Sequence, residues 1–258
     1  MSRLRAKCPD CKTYTAVALG PDYQCHSCGR EFRAGLVRVP RAWGRGGEPM
    51  EAAAHVPFDY PEAAVVDEQS LADQNLALAA ELPSRPIVLG GDCCAHVGAV
   101  EGLAARHDAI GVVWLDAHGD LNTPETSPSG NTWGMPLRML IDAGTVEATN
   151  VALVGARNLD PPEEEFIAES GVHTGEGAIE RALADCSCVY VALDVDALDP
   201  AEYDPFMPEP SGLSVDEVAQ LFARLCEEKT VIGLGITGST PEPENVPKLH
   251  RLAAALGL

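Results

Sequence analysis

The stretch that most restricts how this chain can fold is Ile110-Gly111-Val112-Val113-Trp114-Leu115, followed at once by Asp116-Ala117-His118-Gly119-Asp120. A run of β-branched and aromatic residues reads as a buried strand. Three potential metal ligands leave its C-terminal end at alternate positions, so Asp116, His118 and Asp120 tend to face one side.

The same design recurs twice. Val189-Tyr190-Val191-Ala192-Leu193 runs into Asp194-Val195-Asp196, again two carboxylates with period two, and Asp199-Pro200 then makes a turn. Ile87-Val88-Leu89 runs into Gly90-Gly91-Asp92-Cys93-Cys94, a close turn permitted by glycine with a potential ligand at its exit. Carboxylates converging inside a protein repel one another, and cations are the usual remedy.

Strands are expected at Leu36–Pro40, His55–Phe58, Pro86–Gly90, Ile110–Leu115, Asn150–Gly155, Gly171–Thr174, Cys188–Leu193 and Thr230–Ile236. Amphipathic helices are expected at Ala64–Leu82, Ala95–Arg106, Gly175–Ala184 and Ser214–Glu228, with long loops at Gly44–Pro49 and Asn122–Pro136. That alternation predicts an α/β domain whose parallel sheet is covered by helices on both faces, spanning residues 35–258. Ligands in such sheets gather beyond the carboxyl ends of the strands.

Residues 1–34 read differently. Cys8-x-x-Cys11 and Cys25-x-x-Cys28 are two knuckles able to close one tetrahedral structural zinc site, and a segment this short has little else to fold around. His26 stands inside the second knuckle as a spectator, because four sulfurs fill the shell. Arg3, Arg5, Lys7, Lys12, Arg30 and Arg33 give this zinc ribbon a local basic patch. The whole chain, with 18 basic and 39 acidic residues and a formal charge of -21, argues against nucleic-acid and anionic-membrane partners. No apolar stretch reaches the ~18 residues of a membrane helix, Met1–Lys7 is not followed by an apolar signal core, and cysteines in metal-like spacing suit a reducing, cytoplasmic location. Cys186, Cys188 and Cys226 read as small core residues, and His55, His107, His173 and His250 as surface or helix-end residues.

Gly90-Gly91-Asp92, Asp116-Ala-His-x-Asp120 and Asp194-Val-Asp-x-x-Asp-Pro200, in this order, resemble the arginase family of ureohydrolases from about Leu36 onward. The resemblance implies a three-layer α/β/α fold with a parallel, mainly eight-stranded sheet, and two manganese ions holding a bridging hydroxide between Asp116, His118, Asp120, Asp194 and Asp196. The sixth ligand position falls on Cys93 rather than His, with Cys94 and His96 as adjacent alternatives whose place at the start of a helix argues for coincidence. A thiolate there favours zinc, weakens one manganese site, or stands as a small buried thiol beside a single-metal centre. The resemblance extends to Asn122, Ser129 and Asn131, which match the holders of a substrate α-carboxylate, and to Asp160 and Glu163, which match the holders of its α-amino group. Two other positions depart from the family. Trp133 stands where a proton-shuttling His is expected, and Gly238 where a guanidinium-binding Glu is expected, with Glu242 and Glu244 close behind.

The expectation is a C–N hydrolase for linear amidines, acting on a guanidino or amidino group of an amino acid such as Nω-hydroxy-L-arginine or L-arginine. Asp120 and His118 would be catalytic, Asp120 carrying the proton to the leaving amine, and Trp133 would shape the pocket. A homo-oligomer is implied by the family. The alternative is a catalytically silent arginase-like domain that binds a protein partner through its ribbon.

Overall fold

A computed structural model describes residues 5–258, so Arg3 of the basic patch lies outside the described residues. Four short strands make an antiparallel ribbon, β1 (Arg5–Ala6), β2 (Ala16–Leu19), β3 (Asp22–Cys25) and β4 (Glu31–Phe32). The main sheet follows with β5 (Gly35–Val39), β6 (Glu62–Val65), β7 (Pro86–Gly90), β8 (Ile110–Leu115), β9 (Val151–Val154), β10 (Cys188–Asp194) and β11 (Thr230–Thr237). Its order is β6-β5-β7-β11-β10-β8-β9, with every pair parallel. The helices are α1 (Glu48–Ala53), α2 (Leu71–Glu81), α3 (Ala95–Ala104), α4 (Pro136–Asp142), α5 (Pro161–Ser170), α6 (Ala178–Ala182), α7 (Val215–Glu228) and α8 (Val246–Ala255).

The strands are buried on both sides because each face of the sheet has its own core. Along β8 and β10, Val112, Trp114, Tyr190 and Ala192 enter one core with α2, α3 and α4, while Val113, Leu115, Val189 and Val191 enter the other with α6, α7 and α8. This strict alternation is the period-two geometry of a strand, and it yields the three layers expected from the sequence. The sheet has seven strands rather than eight. Gly171–Thr174, expected as a strand, contributes only an isolated bridge between His173 and Ala152 at the β9 edge.

Three other expectations are corrected. His55–Phe58 is the irregular exit from α1, not a strand, and Pro57 removes a backbone donor there. The helix expected from Ala64 begins only at Leu71, where Ser70 accepts a hydrogen bond from the Asp73 amide at 3.1 Å, and Glu62–Val65 is instead the edge strand β6. His250, expected as a surface or helix-end residue, lies within α8 and is stacked on Phe58 with ring centroids 4.2 Å apart. No helix among the described residues is long and apolar enough to cross a membrane.

Candidate active site

The four central strands β7, β11, β10 and β8 are adjacent, and their carboxyl ends open into one cavity of about 300 Å³. Strand β7 delivers Cys93, β8 delivers Asp116, His118 and Asp120, β10 delivers Asp194 and Asp196, and β11 ends at Thr237 and Gly238. Two groups of potential ligand atoms form, Cys93 with Asp116 and Asp120, and Asp116 with His118 and Asp196, each within 4.8 Å. Asp116 belongs to both. Cys93 Sγ donates to Asp194 Oδ2 at 2.9 Å, which ties the β7 turn to the end of β10. His118 Nδ1 lies 3.0 Å from Asp196 Oδ2 and 3.4 Å from Asp116 Oδ1. All six side chains expected as ligands are therefore brought together.

Asp120 has a positive φ of 52°, a left-handed conformation that Asp tolerates better than most residues. Its Oδ2 is buried and has no hydrogen-bond partner, the signature of an acceptor placed for something other than protein. Burial pushes the Asp194 carboxyl up to about 7, helped by the Asp196 charge, and Asp196 up to about 6. Burial also raises Asp116 and lifts Asp120 well above the carboxylate range, with Asp116 and Asp194 as further causes. Burial by itself would lower His118, but the Asp116 and Asp196 carboxylates outweigh it and lift the imidazole to about 12. A cluster of oxygen, nitrogen and thiol donors whose carboxylates are held back from ionising by burial and by one another's charge fits divalent cations.

The far rim holds the residues expected to grip an amino acid. Asn122 Nδ2 donates to Asp160 Oδ2 at 2.9 Å, and Ser129 and Asn131 line the same cavity. Glu163 also lines it, but both its oxygens accept backbone amides, from Leu121 at 2.9 Å and Asp160 at 2.9 Å. It fastens the turn after Asp120 to the start of α5. Arg157 has a similar bracing role, donating to the carbonyls of Gly155, Asp196, Glu209 and Pro210, so that Glu209 Oε1 comes within 3.7 Å of His118 Nε2.

Trp133 stands over the cavity, its ring so close to Gly44 that a Cβ there would lie 2.3 Å from it. Phe206 meets the indole edge-on at 6.2 Å, and Met50 and Met207 complete an apolar wall. Gly238 has φ +71°, and a Cβ on it would fall 2.2 Å from Asp194 Oδ1. Glu242 and Glu244 are exposed and do not line the cavity, so the loop does not fold back to supply a carboxylate.

Sequence reasoning missed Thr237 and the bracing role of Asp92, and weighed His96 only as an alternative ligand beside Cys93. Thr237 Oγ1 sits 3.2 Å from Cys93 Sγ and 3.3 Å from Asp194 Oδ2. Behind it, fully buried His96 bridges Thr237 and the Tyr190 hydroxyl, at 3.2 and 3.0 Å, and burial lowers it to about 3, keeping it neutral. Asp92 is a brace, accepting from the amides of Trp43 and Cys94. The one sequence signal for Thr237 is its place directly after the apolar run expected as a strand, Thr230–Ile236.

The model of the family described as Arginase family matches residues 45–257. The chain belongs to the arginase family. It is 35% identical to an arginase of Staphylococcus aureus over 54% of each chain, and 41% identical to an arginase of Bacillus subtilis over 45% of this chain and 47% of that one. The chain spans about half the length of these curated relatives, 54% in the first case. Among solved structures, an arginase from Bacillus cereus superposes with a TM-score of 0.73 at 26% identity, covering 86% of this chain and 97% of that one. The ribbon precedes the matched residues of this arginase-family chain.

The carboxylate cluster sets the pH response of the chain once ions are stripped by a chelator. Asp194 and Asp196 move from 3.8 to about 7 and about 6 on folding, so between those limits the folded state holds more protons than the unfolded one. Stability then falls as pH rises through that window. His118, raised from 6.5, continues the same slope above neutrality. Differential scanning calorimetry should give a chelated Tm that drops from pH 5 to pH 7.5 and a manganese-loaded Tm that drops much less. A chelated Tm that climbs over that interval contradicts the burial of these carboxylates.

Proposed function

We propose that the chain is a metal-dependent amidinohydrolase that cleaves a C–N bond in the guanidino or amidino group of an amino acid, with Nω-hydroxy-L-arginine and L-arginine as candidate substrates. The observation that carries this reading is the convergence of Cys93, Asp116, His118, Asp120, Asp194 and Asp196 at the ends of three strands, β7, β10 and β8, with a buried unpartnered oxygen on Asp120.

These residues would hold two divalent ions, manganese first, with zinc or a single ion as alternatives because of the Cys93 sulfur. Bound there, the ions supply Lewis acidity and bring water toward a neutral pKa. Asn122, Ser129, Asn131 and Asp160 hold the amino-acid end, and Glu163 keeps Asp160 and the Asp120 turn in register. Water adds to the amidino carbon, the C–N bond breaks, and Asp120 hands a proton to the departing amine. Trp133 cannot titrate and acts instead as a flat wall for the planar group. Met50, Phe206 and Met207 keep bulk water from that end of the cavity.

Loss of a guanidinium-binding carboxylate at Gly238 and of a titratable ring at Trp133 supports a modified, less basic guanidino group over plain arginine. Purified protein loaded in turn with Mn, Zn, Ni or Co, then offered arginine, Nω-hydroxy-arginine, agmatine and formiminoglutamate, should release hydroxyurea or urea from an amino-acid substrate and leave agmatine intact. Absence of turnover with every metal would leave the silent, partner-binding reading. Cytoplasmic location and homo-oligomeric assembly belong to the same proposal.

A further inference from the structure

The four N-terminal cysteines lie outside the family match, and their geometry is that of a metal site. The sulfurs of Cys8, Cys11, Cys25 and Cys28 all lie within 4.8 Å of one another, with Cys8 to Cys28 at 3.9 Å and Cys11 to Cys25 at 3.8 Å. Tetrahedral Zn–S bonds of about 2.3 Å place sulfurs about 3.8 Å apart, whereas a disulfide needs about 2.05 Å. The Thr15 hydroxyl is 3.2 Å from the Cys25 sulfur.

The ribbon is joined to the main sheet rather than tethered beside it. Lys7 and Glu62 exchange two backbone hydrogen bonds, at 2.8 and 2.9 Å, which adds an antiparallel bridge to the edge strand β6. The Glu62 carboxylate accepts from Arg38 Nε at 2.7 Å, and buried Arg38 on β5 donates onward to the carbonyls of Ala54 and Val56. Asp22 pairs with Arg85 at 3.6 Å just before β7. The Tyr23 ring occupies the space that a Cβ on Gly35 would need, 2.8 Å away. Fully buried Cys8 and Cys25, with Tyr23 and Phe32, belong to the same core as Val37, Val39 and Val88. Strands of two to four residues cannot hold such an arrangement by themselves.

We propose that Cys8, Cys11, Cys25 and Cys28 bind one zinc ion, and that this zinc clamps the β6 edge of the main sheet, so that ribbon and sheet fold as one cooperative unit. The clamp gives an exposed sheet edge a covalently continuous cover. A separate docking module would instead fold and unfold by itself. The proposal is independent of the reaction assigned to the cavity.

The test uses the full chain. Elemental analysis should find one zinc per chain that survives EDTA dialysis, and cobalt in its place should give the intense thiolate-to-metal absorption of a tetrahedral sulfur site. In Cys11→Ser that absorption should disappear, and amide exchange in Glu62–Val65 and Gly35–Val39 should rise by about 100-fold or more, with unfolding still a single transition at lower Tm. Wild-type protein stripped with the zinc chelator TPEN should show the same exchange increase, whether or not Cys11→Ser folds. Absence of zinc and of the cobalt signature overturns the site. Zinc loss that leaves exchange in β6 unchanged, with a separate early ribbon transition, overturns the clamp.

Discussion

Replacing Asp120 with Asn is expected to lower kcat by about 10³-fold while KM shifts by less than about threefold, measured on the best substrate from the product screen. Asn keeps the shape and tolerates the positive φ at this position, so the turn after β8 survives. What it loses is a carboxyl whose Oδ2 has no protein partner and whose burial beside Asp116 and Asp194 raises its affinity for a proton. In the proposed mechanism that is the group that receives a proton and passes it to a departing amine. Manganese content must be read in parallel, because weaker ion binding would lower kcat by another route. Near-normal turnover with full metal content would remove Asp120 from the proton path.

Gly238→Ala is expected to weaken metal binding by about 10- to 100-fold and to lower kcat/KM at least as much. Two costs act at once. The residue sits at φ +71°, where a side chain costs about 1 kcal/mol, and its new Cβ would overlap the Asp194 carboxylate at 2.2 Å. Asp194 must turn away, and with it goes the thiol of Cys93 that donates to its Oδ2. Gly144→Ala separates the two costs, since Gly144 has φ +67° and nothing within 4 Å of the added Cβ. Gly144→Ala should lower Tm by about 2–4 °C and leave manganese affinity intact, whereas Gly238→Ala should change both. Equal behaviour of the two variants in a calorimetric manganese titration would show that backbone strain alone matters at Gly238.

The centre of the molecule was readable because its signals are short-range. Ile110–Leu115 and Pro86–Gly90 are uninterrupted apolar runs bounded by turn residues, and the structure places strands at the same residues. The ligand candidates follow those runs directly, so strand direction alone carried them to one end of the sheet. The edges were less readable. Glu62-Ala-Ala-Val65 is too alanine-rich to announce a strand, and its second half, Ala64 and Val65, falls inside the helix expected from Ala64, while Val56 and Phe58 are strand-like residues on an irregular segment. In the site, Gly238 was marked as a departure from the sequence alone. That it leaves no room for any side chain depends on where Asp194 points, a contact across two strands. Met50 on α1 and Phe206 and Met207 on one loop line the cavity, and Thr237 at the end of β11 touches Cys93, with no local spacing to announce them.

The contact between Gly44 and Trp133 constrains the cavity wall. A methyl group at residue 44 would already lie 2.3 to 2.6 Å from three atoms of the indole. With the tryptophan seated as it is, position 44 has no room for a side chain, so the two residues are coupled: a Gly44→Ala change must displace the indole from the cavity wall.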